Sequence, residues 1–406
     1  MYETFAYYSI VDKKTAMFNS QRSTDNRWGL AHGYGTTYGL EEVAEVMEVM
    51  LNWAPTNDAK TREFEREFAR FTQSKHAIAV SSCAAALHLS AIALEVGPGD
   101  EVLVPPITFV ATANDFAIQG ARIRFVDVEP DTLTMDPALI EPLITERTKV
   151  IVPVDLAGHP CAMDEIMAVG RKHGIVVVED AAHSVGAQYK SRPVGSLADI
   201  TTFSFQRCKN MSTLGEGGML TTDDDHLAEV MTSCRQHGAG KLIGLNYRMT
   251  DVQAAAGLVQ LTLRLEKHNE HRRRLAHYYN RRLSEIDGIV LPAEHPDVRH
   301  PFHLYSIRVD EQKLGVTRDQ IIERLKNEHN IWCIVQYPCV HLLDVYRSRG
   351  HKEGECPVAE RESARLITLP ISPRFNEEDV DFVVDALKAV VRRSAVAVRA
   401  TACEVQ

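Results

Sequence analysis

Val176-Val177-Val178-Glu179-Asp180-Ala181-Ala182-His183-Ser184-Val185-Gly186-Ala187, a spacer to Asp199, and the run Ile200-Thr-Thr-Phe-Ser204-Phe-Gln-Arg-Cys-Lys209 together decide the fold. Ile175 to Val178 is an apolar, β-branched run that ends in two acids, the pattern of a buried strand delivering Glu179 and Asp180 at its C-terminal end. A second such run, Ile200 to Phe205, delivers Ser204 and then Lys209 into a polar loop punctuated by Gly215, Gly217 and Gly218. In open α/β sheets, ligands gather at the carboxyl ends of strands. An acid at one strand end and a lysine just past another suit an aldehyde cofactor with a basic ring nitrogen. The lysine forms an imine with the aldehyde, and the acid keeps the ring nitrogen protonated. Taken singly the residues say less. A loop lysine is commonly a solvated charge, and an aspartate at a strand end is commonly a helix N-cap.

Working outward, the periodicity predicts helices over Glu41 to Leu51 and Lys60 to Phe71, and an Ala-rich helix ending near Leu94 with serines (Ser81, Ser82) at its start. Strands are expected over Ala77 to Val80, Asp100 to Pro105, Ile123 to Val128 and Lys149 to Leu156. Helical segments are expected at Ala111 to Gln119 and Pro137 to Ile144. This alternation argues a mostly parallel sheet covered by helices. Thr250 is a plausible N-cap for a helix beginning near Asp251. Leu261 to Ile286 reads as a long, solvated connecting helix in which Arg272-Arg273-Arg274 lie on an exposed face. The last third reads as a smaller α+β unit with strands near Tyr305 to Val309 and Trp332 to Gln336, and helices over Arg318 to Asn327 and Glu377 to Val391. The expected division is an N-terminal arm (1–40), a large domain (41–265) and a small C-terminal domain with its connecting helix (266–406).

The chain has 406 residues, 45% hydrophobic and 25% charged, the composition of an ordinary soluble globular protein of two domains. A net charge of −10 with no long basic block argues against nucleic acid or an anionic membrane as partner. The eight cysteines are scattered without a CxxC pair, no apolar leader precedes them, and the longest apolar runs are too short to span a bilayer. Reduced thiols in a cytoplasmic protein are the economical expectation. His300, His303, His341 and His351 match no standard zinc spacing, so no metal is expected; His341 is the candidate for lining a substrate cleft.

Four ordered motifs carry a resemblance: Glu179 to Ala187, Phe203 to Asn210, Gly215 to Gly218, and Asn246-Tyr247-Arg248-Met249-Thr250-Asp251-Val252-Gln253-Ala254-Ala255. Together they resemble the sugar aminotransferase family of pyridoxal-phosphate enzymes, over nearly the whole chain from about Leu40. The resemblance implies the fold type I α/β architecture, with pyridoxal 5'-phosphate held as an imine by Lys209 and its ring nitrogen on Asp180. It places Phe109 on the pyridine ring and His183 near the phenolic oxygen. It puts the phosphate at Ser82-Cys83-Ala84 and Ser204, where the family usually has Gly-Thr in place of Cys83-Ala84; the departure removes a hydroxyl but leaves the backbone donors. It implies a homodimer with shared sites, in which Asn246 reaches the phosphate of the neighbouring subunit and the N-terminal arm lies across the partner; an ordinary helix start and a frayed terminus remain open.

The implied activity is transfer of an amino group from an amino acid to a keto-sugar or keto-cyclitol, with Gln206, Tyr247, Arg248 and His341 at the substrate. The lysine stretch is closest to the antibiotic-biosynthesis branch that uses L-glutamine, with L-glutamate second. The Gln206 amide can hold a polyol hydroxyl or its own loop backbone, and both stay open. A glutamate-dependent nucleotide-sugar aminotransferase is the runner-up. A dehydratase of this fold would carry histidine at Lys209, an aromatising relative would keep the lysine, and a scaffolding relative would have lost Asp180 or Lys209.

Overall fold

The computed structural model describes residues 35–52 and 59–404, with side chains to residue 392. Most of the expected N-terminal arm, including Trp28 and His32, lies outside the described residues. Among the described residues, the first elements are α1 (Leu40–Leu51) and α2 (Ala59–Thr72), followed by β1 (His76–Val80), α3 (Cys83–Ala93), β2 (Glu101–Val104), α4 (Ala111–Ala117), β3 (Arg122–Phe125), β4 (Thr148–Ile151), α5 (Met163–His173) and β5 (Val176–Asp180). Two short strands, β6 (Gln188–Tyr189) and β7 (Arg192–Pro193), lead to β8 (Ile200–Ser204) and β9 (Gly218–Thr222). Next come α6 (Asp225–Arg235), α7 (Asp251–Val259) and α8 (Leu265–Leu283), with a π-helical turn at Gln260–Arg264. The C-terminal third holds β10 (Ile289–Val290), β11 (Val298–Arg299), β12 (Tyr305–Val309), α9 (Arg318–His329), α10 (Pro357–Ala364), β13 (Leu366–Leu369) and α11 (Glu377–Glu404).

The main sheet has seven strands in the order β1-β9-β8-β5-β4-β2-β3. Only β9 runs against the rest, antiparallel to both β1 and β8. Strand alternation sends Val178, Val102 and Val150 to one core and Val177, Leu103 and Ile151 to another. A sheet apolar on both faces is the signature of α/β packing, and α3 and α4 cover one side while α2 and α5 cover the other. Phe64 and Phe68 of α2 are fully buried, with Phe68 meeting Phe203 edge-on at 5.0 Å. A third core joins α8, α9 and α11 to the sheet β10-β12-β13.

Several expectations need correction. Pro137 to Ile144 is two 3-10 turns, because Pro137 and Pro142 sit at their starts and no long apolar face supports a full helix. The strand expected to reach Leu156 stops at Ile151, and Leu156–Gly158 is a 3-10 turn with Ala157 at φ 59°. Trp332 to Gln336 forms no strand; Ile334 makes a single bridge to Thr368. Strand β9 contains the glycine read as a turn: a Cβ on Gly218 would lie 2.5 Å from the Ser82 carbonyl carbon, so glycine lets α3 press its N-terminus onto the sheet. The basic run of α8 is not all solvated. Arg272 is 1% exposed and donates to the carbonyls of Gly35 (2.6 Å) and Ile371 (3.4 Å), while Leu275, Ala276, Tyr279 and Leu283 face the third core.

Candidate active site

Strands β5 and β8 pair in parallel with Asp180 opposite Thr202. Alternation at that level turns Asp180 and Thr202 toward α3, where Cys83 Sγ lies 4.0 Å from Asp180 Oδ1 and 3.8 Å from Thr202 Oγ1. Asp180 is 5% exposed. Its Oδ2 accepts from Thr112 Oγ1 on α4 (2.7 Å) and its Oδ1 from the Ala182 N–H (3.1 Å). Burial raises its proton affinity above the usual carboxylate range, while Thr112, the Ala182 N–H and the nearby Lys209 ammonium oppose that shift. Such a carboxylate fits a protonated pyridine nitrogen, which brings a hydrogen-bonded positive charge to it.

The loop after β8 carries Lys209, also buried. The Lys209 N–H donates to Gln206 O (2.8 Å), and Gln206 Oε1 accepts from the Cys208 N–H (2.8 Å). Of the two uses open to Gln206, its amide oxygen serves the loop backbone. Gly35 packs onto this loop: its N–H donates to Arg207 O (3.1 Å), and any Cβ there would collide with the Lys209 carbonyl. Ser204 is 5% exposed, with Oγ 3.4 Å from the Gln206 N–H. Ser82 caps α3, accepting from Ala85 N (3.0 Å), which leaves the first-turn N–H groups of Cys83 and Ala84 without an intrahelical acceptor. That helix start, with Ser204 on the next strand but one, fits a phosphate group.

His183 is 6% exposed, and its ring sits against His303 at 4.4 Å. Its Nδ1 accepts from the Ala157 N–H (3.2 Å), so the proton of the neutral ring is on Nε2, 3.2 Å from the Tyr337 hydroxyl. Burial, then the Lys209 charge, holds His183 neutral well below the usual histidine range. An Nε2–H donor is what an anionic phenolic oxygen needs. Phe109 is 58% exposed, and its ring stands 6.0 Å from Tyr337, so one face is available to a flat ligand.

Other expected residues lie differently. His341 is a correction: it is fully buried, pairs with Glu360 (2.9 Å) and packs on Phe125, so it lines no open cleft. The Tyr247 hydroxyl lies 2.9 Å from His88 Nδ1, and its ring packs on the core under α3. Arg248 Nε donates to Asn246 Oδ1 (3.0 Å), and Asn246 itself is exposed. Thr250 does cap α7, in a capping box with Gln253. Glu216 is exposed, and its carbonyl accepts from Thr213 Oγ1 and Gln253 Nε2. The other histidines weighed for a metal have protein partners: His300 with the Phe302 N–H, His351 with Glu355, His303 with Asn210. Thr112, Asn210 and Tyr337 were not singled out in the sequence, and His303 was weighed there only as a metal ligand. Thr112 sits three residues after Phe109 and Asn210 directly follows the lysine, so adjacency was the available signal; nothing local pointed to Tyr337, or to His303 beside His183.

The profile of the DegT/DnrJ/EryC1/StrS aminotransferase family matches residues 37–388. The chain is 42% identical over 372 residues to the spore coat polysaccharide biosynthesis protein SpsC of Bacillus subtilis, covering 87% of this chain and 95% of SpsC. Among solved structures it resembles Spr1654 of Streptococcus pneumoniae in its PLP form (TM-score 0.83, 32% identity, 89% of this chain and 98% of that one). It likewise resembles DesI solved with its TDP-sugar product (TM-score 0.85, 29% identity, 92% and 96%). No helix among the described residues is long and apolar enough to cross a membrane. The chain belongs to the DegT/DnrJ/EryC1/StrS aminotransferase family and is a pyridoxal-phosphate-dependent aminotransferase of fold type I.

Proposed function

We propose that this enzyme moves an amino group from L-glutamate to the ketone of a nucleotide-linked sugar, with Lys209 as the residue that moves the proton. The observation that carries the chemistry is a buried Lys209 among Asp180, His183 and Tyr337 at the carboxyl ends of β5 and β8. When bound, pyridoxal 5'-phosphate supplies the aldehyde carbon through which nitrogen passes and a protonated ring that takes up the electron pair released at the donor's Cα. Asp180 would accept the hydrogen bond of the protonated ring nitrogen. His183 Nε2–H, which faces the Tyr337 hydroxyl in the chain itself, would share its proton with the phenolic oxygen, Phe109 would cover the ring face, and the α3 N-terminus (Ser82, Cys83, Ala84) with Ser204 would bind the phosphate. Lys209 Nζ takes the Cα proton of the donor and, in the second half-reaction, delivers one to the carbon of the former ketone.

The nucleotide-linked acceptor is favoured because Gln206, the residue best suited to a bare polyol, has its amide oxygen engaged with Cys208. The DesI structure with its TDP-sugar product points the same way. A second reading keeps a keto-cyclitol or sugar acceptor of antibiotic biosynthesis with L-glutamine as donor; the Gln206-Arg207-Cys208-Lys209 stretch favours it. Mixing the PLP-loaded enzyme with each amino acid and following loss of the lysine-linked absorbance identifies the donor. Recovery on adding a TDP-keto-sugar supports the first reading, and recovery only with an inosose supports the second.

The same reading makes the enzyme a homodimer with sites completed by the partner's Asn246, and divides the subunit near residue 265. The exposed apolar positions Leu40, Met50 and Leu51 of α1, with Ile243 beside Asn246, support a covering second copy. The separate third core supports the division. Full activity in a demonstrated monomer would refute the shared site.

A further inference from the structure

We infer that His303 is a positioning residue for both His183 and Lys209, fixed by a one-way hydrogen-bond chain through Asn210 and Asn269. The inference rests on the reading above that this site holds pyridoxal 5'-phosphate.

The chain's direction follows from its far end. The Val185 carbonyl can only accept, so the atom of Asn269 facing it at 3.0 Å is Nδ2. Asn269 Oδ1 then points the other way and accepts from Asn210 Nδ2 (2.9 Å). Asn210 Oδ1 is therefore the atom 3.0 Å from His303 Nδ1, and that nitrogen carries a proton in either charge state of the ring. All three side chains are nearly inaccessible, at 2%, 3% and 4% exposure for Asn269, Asn210 and His303. With both amides assigned and their partners buried, the imidazole of His303 has one orientation.

The oriented ring touches what matters for the chemistry. Its face lies 4.4 Å from the His183 ring at 36°. His183 is thus located by three contacts: His303 on its face, the Ala157 N–H at Nδ1 and the Tyr337 hydroxyl at Nε2. Asn210, the middle link, is the residue after Lys209, and Val185 is two residues past His183. One chain therefore ties the lysine loop and the histidine loop to α8 and to the segment entering β12. A displacement of His303 moves the His183 donor and the backbone beside Lys209 together, and small displacements at a reacting centre cost rate.

A residue that merely fills the core would lower stability without touching the spectrum or the turnover of the folded enzyme, and two variants separate these roles. His303→Phe keeps a flat face but removes the Nδ1–H. His303→Asn keeps an amide N–H within reach of Asn210 but removes the face. In the PLP-loaded full chain, each variant is expected to shift the pH midpoint of the lysine-linked absorbance by about 0.5 unit or more. Each is expected to lower kcat roughly 10- to 100-fold while KM changes less than about threefold. In the protein without cofactor, imidazole nitrogen-15 shifts are expected to report Nδ1–H at His303 and Nε2–H at His183 in the wild type. Variants with a lowered melting temperature but unchanged absorbance midpoint and kcat overturn the inference, as does a wild-type His303 lacking a proton on Nδ1. The nitrogen-15 measurement decides the matter if neither variant folds. A wild-type protein that forms no lysine-linked absorbance with PLP refutes the functional reading instead, and leaves the hydrogen-bond chain to be judged by its tautomers.

Discussion

Glu179 and Asp180 are consecutive acids at the end of one strand, both almost fully buried, and they face opposite sides of the sheet. Asp180 looks onto α3 and α4, where a hydroxyl, a backbone N–H and a lysine meet it. Glu179 looks onto the other core, where Thr201 Oγ1 donates to it (2.9 Å) and the carboxyl of Asp155 stands beside it. Burial raises the proton affinity of both. On the Glu179 side a second acid raises it further, so that pair keeps a proton of its own, whereas Lys209 pulls Asp180 back toward ionisation. Burial alone therefore does not mark a functional acid. The side that faces a cation and donors is the side that can receive a cationic ligand.

The strongest way to break this comparison is Lys209→Ala. It should abolish the lysine-linked absorbance with PLP and bring turnover below detection, because one side chain holds the cofactor and moves the proton. A surviving band that borohydride fixes onto a different lysine would remove Lys209 from its place opposite Asp180. Next in size is Asp180→Asn. The amide keeps the shape but cannot hold the ring nitrogen protonated, so kcat should fall roughly 10²- to 10⁴-fold with PLP still bound. Near-normal turnover in that variant would make Asp180 a structural acid like its neighbour.

His341→Phe sharpens the contrast between buried groups that face the site and those that do not. His341 Nε2 pairs with Glu360, its Nδ1 has no hydrogen-bond partner among the described residues, and Glu360 keeps the N–H groups of Gly354 and Cys356. The variant should lose about 1–3 kcal/mol of stability in urea unfolding, with KM for both substrates unchanged. A KM rising tenfold with stability intact would return His341 to the cleft.

What the sequence made legible follows the same division. Lys209, Asp180, His183 and Ser204 lie within or just beyond two short apolar runs, and strand geometry alone carries such residues to one end of the sheet. Thr250 was legible because capping acts over three residues. The rest depended on contacts between distant segments. Nothing in Gln336-Tyr337-Pro338 says that Tyr337 meets a histidine 154 residues earlier. Nothing in the helical spacing of α8 says that Arg272 turns inward to the Gly35 carbonyl rather than outward with Arg274. Strand β9 was hidden because its first residue is a glycine selected for the close approach of Ser82, which reads locally as a turn.

The smallest expected effect belongs to Glu179→Gln, and it tests the comparison from its silent side. In the folded protein Asp155 is shifted up to about 7, first by burial and then by the Asp180 charge, while its Oδ2 accepts from Ser184 (2.6 Å) and its Oδ1 from the Cys161 N–H (3.0 Å). The Asp155 carboxyl in turn raises the proton affinity of Glu179. A carboxyl with raised folded-state affinity contributes stability that is complete below its unfolded value near 4 and is lost as pH rises through about 7. The wild type should thus lose stability from this pair between pH 5 and pH 8. With glutamine at position 179, Asp155 faces an amide able to donate, ionises more easily, and binds less excess proton over that range. The loss between pH 5 and pH 8 should be shallower than in the wild type by on the order of 1–2 kcal/mol, since one pKa unit corresponds to about 1.4 kcal/mol. Titration of other groups is common to both proteins and cancels in the difference. Stability at pH 5 should change by less than about 1 kcal/mol, because a protonated acid is replaced there by a neutral group of the same shape. The lysine-linked absorbance should be unaltered at either pH. A steeper loss at pH 8, or a displaced absorbance, would mean that the two faces of β5 are coupled and that Glu179 acts on the cofactor through Asp180.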